Sequence, residues 1–462
     1  MSIFRCRTIA ASVLAVACAA AWANEGLLDS AFATGGLARI SFDDPSGTKA
    51  DHARYLVMQP NGMALVLGSM ATETQANVAL ARIRTNGTPD PAFNGDGDSD
   101  GKVVVGFIGT LDPRGMALLS DGRIVVAGKS AGLALLTRRA ANGGDTDKFP
   151  GASFGSFIAF AIPGASATEF VGLLGLPGGK FLAVGTFSTL AGGEDFFVAR
   201  FTSDGVLDTG FGAQPGYTRI GFDLDSSKSD QAAALALAPD GRIAVVGTVS
   251  ESDNEYGIAM LQSGGAPDDS FDGDGKAVVN FDIGLTSNDR ATAACFAPDG
   301  TLLVAGNVSD SVLDSVVGLI LLSKTGSLVS GFENNGRRRF DIFDNTGAAG
   351  VACTYDGKFL LTGTFDTTAS DLTPSEAFVT RFLSDGSSDF TFGSFFATTI
   401  FGFNRPNTTA PTGRIDRGVA IAQSSGLIYA LFDVEYQSPD YDFGLARMAI
   451  DHIFDDDFEQ VE

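Results

Sequence analysis

The chain has 462 residues, 44% of them hydrophobic and 19% charged, so it can bury a sizeable core and is not disordered by composition. Its 31 Lys and Arg against 55 Asp and Glu leave a net charge of −24, which argues against nucleic acid or an anionic membrane surface as partner, because both demand a positive patch. Its 58 glycines are nearly twice the usual share, and with 37 Phe they point to short strands and tight turns.

Met1 to Ala23 reads as a secretory signal peptide. Arg5 and Arg7 form a positive head, Ile9 to Ala21 is apolar, and Ala21-Trp22-Ala23 is a small-x-small cleavage site. The apolar run of about 13 residues is too short for a membrane span, which needs about 20. Cys18 follows Ala15-Val16-Ala17, without the Leu that lipoprotein processing prefers. The expectation is a soluble chain beginning at Asn24, exported to the periplasm or beyond, that keeps two cysteines, Cys295 and Cys353.

The rest of the sequence repeats. Seven segments join two apolar runs through a turn ending in Gly: QPNGMALVLG, LSDGRIVVAG, LPGGKFLAVG, APDGRIAVVG, APDGTLLVAG, TYDGKFLLTG and QSSGLIYALF. Their turn glycines, Gly62, Gly122, Gly179, Gly241, Gly300, Gly357 and Gly426, are 57 to 69 residues apart. Six close on a second Gly six residues later; the seventh has Phe432. Gly between β-rich runs is a hairpin signal, because it accepts the positive φ of a tight turn.

A second block is clearest as ARFTSDGVLDTGFG, where Arg200 lies five before Gly205, Asp208 three after and Phe211 six after. The Phe recurs as Phe93, Phe149, Phe211, Phe271, Phe332, Phe392 and Phe458, the last counted from His452 in the glycine slot. An eighth copy, Gly26-Leu27-Leu28-Asp29 leading to Phe32, opens the mature chain.

Each unit thus predicts four strands: an Ala-rich first, a β-branched second, a third such as FFVARF (196–201), and a fourth. The fourth strands fall at 37–42, 102–107, 157–162, 217–222, 276–281, 338–343 and 396–401. Four-stranded units at a fixed period predict an all-β fold, a single seven-bladed β-propeller over residues 24–450. The chain starts on a fourth-type strand, Leu37 to Phe42, and ends on a first-to-third set, Val419 to Ala449. Pairing the two closes the ring and hides both strand edges. The acidic tail 451–462 is read as completing the last repeat.

SFDGDGKAVVNF (270–281), CFAPDGTLLVAG (295–306) and ARFTSDGVLDTGFG (199–212) resemble the delta-60 repeat family, and the resemblance covers essentially the whole mature chain. It implies a β-propeller in exported or surface-associated bacterial proteins. It implies no reaction and supplies no catalytic or ligand residues.

Candidate site residues are few. Arg82, Arg200, Arg381 and Arg447 each precede an Asp by eight residues, Asp90, Asp208, Asp389 and Asp455; the fifth unit has lost both, with Leu321 and Val329. Joint retention and joint loss predict ion pairs within blades, since either charge half-buried alone is costly. Units two and four keep one member each, Arg138 with Thr146 and Met260 with Asp268. Asn94 to Gly101, with Asp96, Asp98 and Asp100, imitates a calcium loop, but Phe107 and Val104 occupy the positions where the last carboxylate belongs. It reads as an acidic turn, with bound calcium as the lesser alternative. His52 and His452 are too far apart in sequence to suggest a metal cluster. His52, next to Asp51 before a first strand, is placed at a blade-end surface. Cys295 and Cys353 lie on first strands one register step apart, so strand alternation predicts opposite faces and two buried free thiols.

No catalytic, cofactor-binding or metal residues are assigned. The expected function is a secreted, monomeric binding or structural scaffold, not an enzyme. It would take a protein, glycan or small molecule on a blade-end face or in the channel, with Ser387 to Arg417 as the most divergent region. The alternative is a metal-assisted hydrolase with its site at the channel mouth.

Overall fold

The computed structural model of the chain describes residues 25–449 apart from 43–49, 72–75, 107–110, 153–155, 190–191, 223, 225–228, 251–252, 282–287, 310–314, 344, 367–374, 404–414 and 438–439. The expected signal peptide 1–23, the tail 451–462, Asp455 and His452 lie outside the described residues.

Seven four-stranded antiparallel sheets stand in a ring. Blade 1 runs Asp51–Met58, Ala64–Ala71, Ala76–Ile83 and Lys102–Val105, innermost strand first, and blades 2 to 6 follow in sequence order. Blade 7 takes Asp416–Ser424, Leu427–Gln437 and Asp440–Ala449 from the C-terminal end and Leu37–Ile40 from the N-terminal end. Ile40 faces Phe443 and Leu37 faces Ala446 in that closing ladder. The ring closes as predicted, and all seven fourth strands are found where expected, each four residues long instead of six. Helix among the described residues is limited to single turns at Pro177–Gly179 and Glu333–Gly336.

There is no common core. Each pair of neighbouring blades has its own, because a β-strand sends alternate side chains to opposite faces. Leu65 and Leu67 of blade 1 join Ile124 and Val126 of blade 2 in one cluster, while Ala64 and Val66 turn the other way towards Leu431 and Leu445 of blade 7.

Every first strand carries a bulge in the same place, at Arg54, Arg114, Val171, Ala233, Thr292, Ala349 and Val419, and that of blade 3 has a second at Ser166. The pair beside the shared bulge holds the closing glycine of the repeat, such as Ala53 with Gly68 and Ala232 with Gly247. The bulge drives a first-strand carbonyl to where a side chain would start: a Cβ on Gly68 would lie 2.1 Å from the oxygen of His52. Blade 7 exchanges the partners, pairing Phe432 with Gly418. Gly418 in turn lies against Gly363 of blade 6, within 2.6 Å of a would-be Cβ, so the seventh unit has moved its glycine across the ladder.

Candidate functional site

The repeated Arg, Asp and Phe form one device that joins blades. Arg82 Nε donates to Asp90 at 2.7 Å, Arg200 to Asp208 at 2.7 Å and Arg381 to Asp389 at 2.8 Å. Each guanidinium lies over the Phe of its own block, 5.0 Å from the centre of Phe93 and 4.6 Å from that of Phe211. The same group crosses the junction: Arg82 donates to the carbonyl of Ala141 at 2.8 Å and Arg200 to that of Ser263 at 3.0 Å. The Phe ring slides under the loop glycine of the next blade, so that a Cβ on Gly143 would meet Phe93 at 2.7 Å and one on Gly265 would meet Phe211 at 2.6 Å. The ion pairs are thus intra-blade, as expected, but their charge also clamps the neighbouring blade. Lys180, followed by Arg200, holds the Asp208 carboxyl below the usual carboxylate range.

Where a unit keeps one partner, a substitute arrives. Arg138 takes Asp147 at 3.2 Å and Asp204 at 2.9 Å. Asp268 takes Arg242, the residue after the turn glycine, at 3.3 Å. The expected partner of Arg447, Asp455, lies outside the described residues. Arg447 binds Asp29, from the eighth copy at the N-terminus, at 2.7 Å and lies over Phe32.

The cysteine expectation is corrected: Cys295 and Cys353 form a disulfide, with Cα atoms 5.7 Å apart. Opposite faces is the right outcome of alternation for two strands laid in one frame, but neighbouring blades meet through opposite faces of their sheets. Cys295 pairs across its sheet with Leu303, and Cys353 with Phe359. Leu303 and Phe359 belong to the same core between blades 5 and 6, so both cysteines point into one junction.

The acidic turn caps itself. Asp98 accepts from the Asp100 amide at 3.3 Å, and Asp100 accepts from the Lys102 amide at 2.8 Å and pairs with its ammonium at 2.9 Å. Among the described residues no three His, Cys, Asp or Glu side chains are grouped to hold a metal.

His52 is the second residue of the first strand of blade 1, and its Nδ1 lies 2.9 Å from Asp433 of blade 7. Asp433 is buried, whereas the His52 side chain is 31% exposed and its ring lies 4.8 Å from that of Tyr441. Arg417, Asp433, Tyr441 and Glu435 share one face of blade 7, because Arg417 stands opposite Asp433 and Tyr441 opposite Glu435. Burial and the Glu435 carboxylate raise the Tyr441 phenol pKa, against the opposing pull of Arg417. Arg417 is exposed and has no ion-pair partner among the described residues; the same holds for Arg54, on the bulge of blade 1.

Below this mouth the first strands crowd together. A Cβ on Gly115 would meet the backbone of Leu173 at 2.9 Å, and one on Gly350 would meet Ala420 at 3.2 Å. Tyr55 is the large residue at this level. It passes blade 2 and donates its hydroxyl to the carbonyl of Val171 in blade 3 at 3.1 Å. Burial pushes its pKa up to about 12, with Arg114 opposing.

Sequence reasoning missed Tyr55, Asp433 and Tyr441. The available signal was departure from the repeat, since Tyr55 stands where most other units have Gly or Ala. Of the divergent stretch Ser387–Arg417, residues 404–414 lie outside the described residues. Its described part exposes Phe396, 4.6 Å from Phe395, which stacks on Phe343 of blade 5 at 6.2 Å.

Residues 59–93 and 177–211 match a family model described as a domain of unknown function (DUF5122) beta-propeller. The chain is a β-propeller. Both matched segments run from the first hairpin of a blade to the buried Phe of its second block, in blades 1 and 3. No curated protein matches. Similar solved structures include YCF48 bound to D1 peptide (10% identity, TM-score 0.44, 93% of this chain and 99% of that one). Others are polysaccharide lyase Uly1 (9%, 0.47, 89% and 92%) and Trypanosoma rangeli sialidase (9%, 0.41, 89% and 57%). Among the described residues no helix is long and apolar enough to cross a membrane.

Proposed function

We propose that the chain is a secreted propeller of the delta-60-repeat kind that binds a ligand at the mouth where its first strands begin. The signal peptide 1–23 directs export, residues 24–450 form the monomeric ring, and the Cys295–Cys353 disulfide suits an oxidising compartment.

One observation carries the binding reading. Charged groups shared by the repeat are engaged in holding blades together, whereas those that break it at the mouth, Arg54, Arg417 and the solvent-facing edge of His52, are uncommitted. Groups aimed at solvent above a narrow, small-residue channel suit recognition of a small molecule, glycan chain or protein loop. The chain's net charge of −24 argues against nucleic acid in that role.

The test is a thermal-shift screen of residues 24–462 against glycans, metabolites and calcium. A ligand at 100 times its Kd stabilises by about 2.7 kcal/mol, and Arg417→Ala should abolish that shift. A shift unaffected by Arg54→Ala and Arg417→Ala would place the ligand elsewhere. N-terminal sequencing of the exported protein should begin at Asn24; any other start overturns the leader assignment.

A further inference from the structure

At five of the seven junctions a guanidinium from one blade fills the same seat against the next. It donates to the carbonyl of the residue two before the loop glycine: Arg447 to Thr85, Arg82 to Ala141, Arg138 to Ser203, Arg200 to Ser263 and Arg242 to Lys324. At the blade 6–blade 7 junction Arg381 reaches Glu25 instead.

The blade 5–blade 6 junction has lost both sources of that cation. Leu321 stands in the Arg slot, and Thr301 follows the turn glycine where Arg242 does at the preceding junction. The equivalent carbonyl, that of Ser384, receives no guanidinium among the described residues. A groove of about 310 Å³ opens there, lined by Leu321, Pro298, Asp299, Thr301, Tyr355 and Ser384 among others.

The rim of the groove suits a cation. Asp299 uses Oδ1 to accept from Thr301, at 2.9 Å from the amide and 2.7 Å from the hydroxyl, which leaves Oδ2 available. Tyr355, 81% exposed, replaces the proline that Pro60, Pro177, Pro239 and Pro298 supply at this turn position, and presents an aromatic face. Asp356 also lines the groove but already has Lys358 at 3.6 Å. The junction does not need the missing clamp. The disulfide crosses it, and Arg338 reaches over from blade 5 to the carbonyl of Gly386 and the hydroxyl of Ser388.

We propose that this groove is a recognition site for an arginine side chain of a partner polypeptide, which completes the clamp that the other junctions make internally. The site is independent of the channel mouth. The Ser384 carbonyl and the Asp299 carboxylate accept the guanidinium hydrogens, Tyr355 covers its face, and the acidic chain draws in a basic segment.

The test titrates residues 24–462 with an acetylated, amidated Gly-Arg-Gly peptide and with its lysine and citrulline counterparts, by calorimetry. The arginine peptide should bind about tenfold more tightly than either. The double variant L321R/V329D rebuilds the internal clamp; it should abolish peptide binding and raise Tm. Tyr355→Ala, on an exposed side chain, should weaken binding several-fold without lowering Tm. Undetectable arginine binding, equal binding of citrulline or lysine, or undiminished binding to the double variant would each overturn the proposal. Variants at Arg54 and Arg417 should leave peptide binding unchanged, which separates this site from the mouth.

Discussion

Arg447 and Asp29 meet at 2.7 Å, although 418 residues of chain separate them. Their contact brings the first block of the mature chain into the slot that the last blade leaves for its own loop. Two segments of the sequence carry the motif for that slot, one at each end of the ring. Gly26 enters at φ +73°, where a Cβ would fall 2.5 Å from the ring of Phe392. The C-terminal copy has His452 in place of the glycine and lies outside the described residues.

Asp29→Ala strands a mostly buried guanidinium and should cost about 3 kcal/mol of stability. Asp455→Ala should cost nothing measurable. Denaturant unfolding of the two variants decides between the slots: equal losses, or a loss confined to Asp455→Ala, would return the closure to the C-terminal segment.

Breaking the Cys295–Cys353 bond, which spans 58 residues, should remove about 4 kcal/mol, mostly by freeing the unfolded chain. Unfolding with and without reductant measures this directly. Cys353→Ala should match the reduced protein, and an unchanged midpoint in reductant would show that the bond does not form in solution.

The same pair shows how far the sequence could be read. Strand alternation placed each thiol correctly within its own sheet, and period, hairpin glycines and terminal strand types placed all seven blades and the closure. What escaped was any relation between blades, because a repeat reads along the chain while its junctions form across it. The Arg–Asp spacing of eight was visible, but not that Arg82 also holds Ala141, nor that His52 would find Asp433. Tyr55 left a trace as an oversized residue among glycines and alanines, though its reach to Val171 depends on ring curvature that no local pattern encodes.

Gly205 and Phe149 test the interlock between blades. Gly205 has φ +76°, and a Cβ on it would come 2.7 Å from the Phe149 ring. Gly205→Ala should cost about 2 kcal/mol from backbone strain and overpacking, and Phe149→Ala about 3 to 4 kcal/mol from the lost ring. Together they should cost less than the sum, since removing the ring makes room for the methyl. Strict additivity in a double-mutant cycle would mean that the two do not touch.

Alkali should loosen the ring through two tyrosines. Burial raises Tyr55 from an ordinary value near 10 to about 12, and also raises Tyr256, which is wholly enclosed and donates to the carbonyl of Gly318, well above its ordinary value. For each, the unfolded chain ionises first, so the stabilisation is complete below pH 10 and is lost as pH rises through the folded value. For Tyr55 the two-unit gap corresponds to at most about 2.7 kcal/mol. Stability should therefore fall between pH 10 and 12. Tyr55→Phe should flatten part of that fall while losing about 1 kcal/mol at neutral pH with the bond to Val171. If Tyr55→Phe unfolds along the same alkaline curve as the parent, the phenol titrates as freely in the ring as in the unfolded chain, and the strut across blade 2 is not closed in solution.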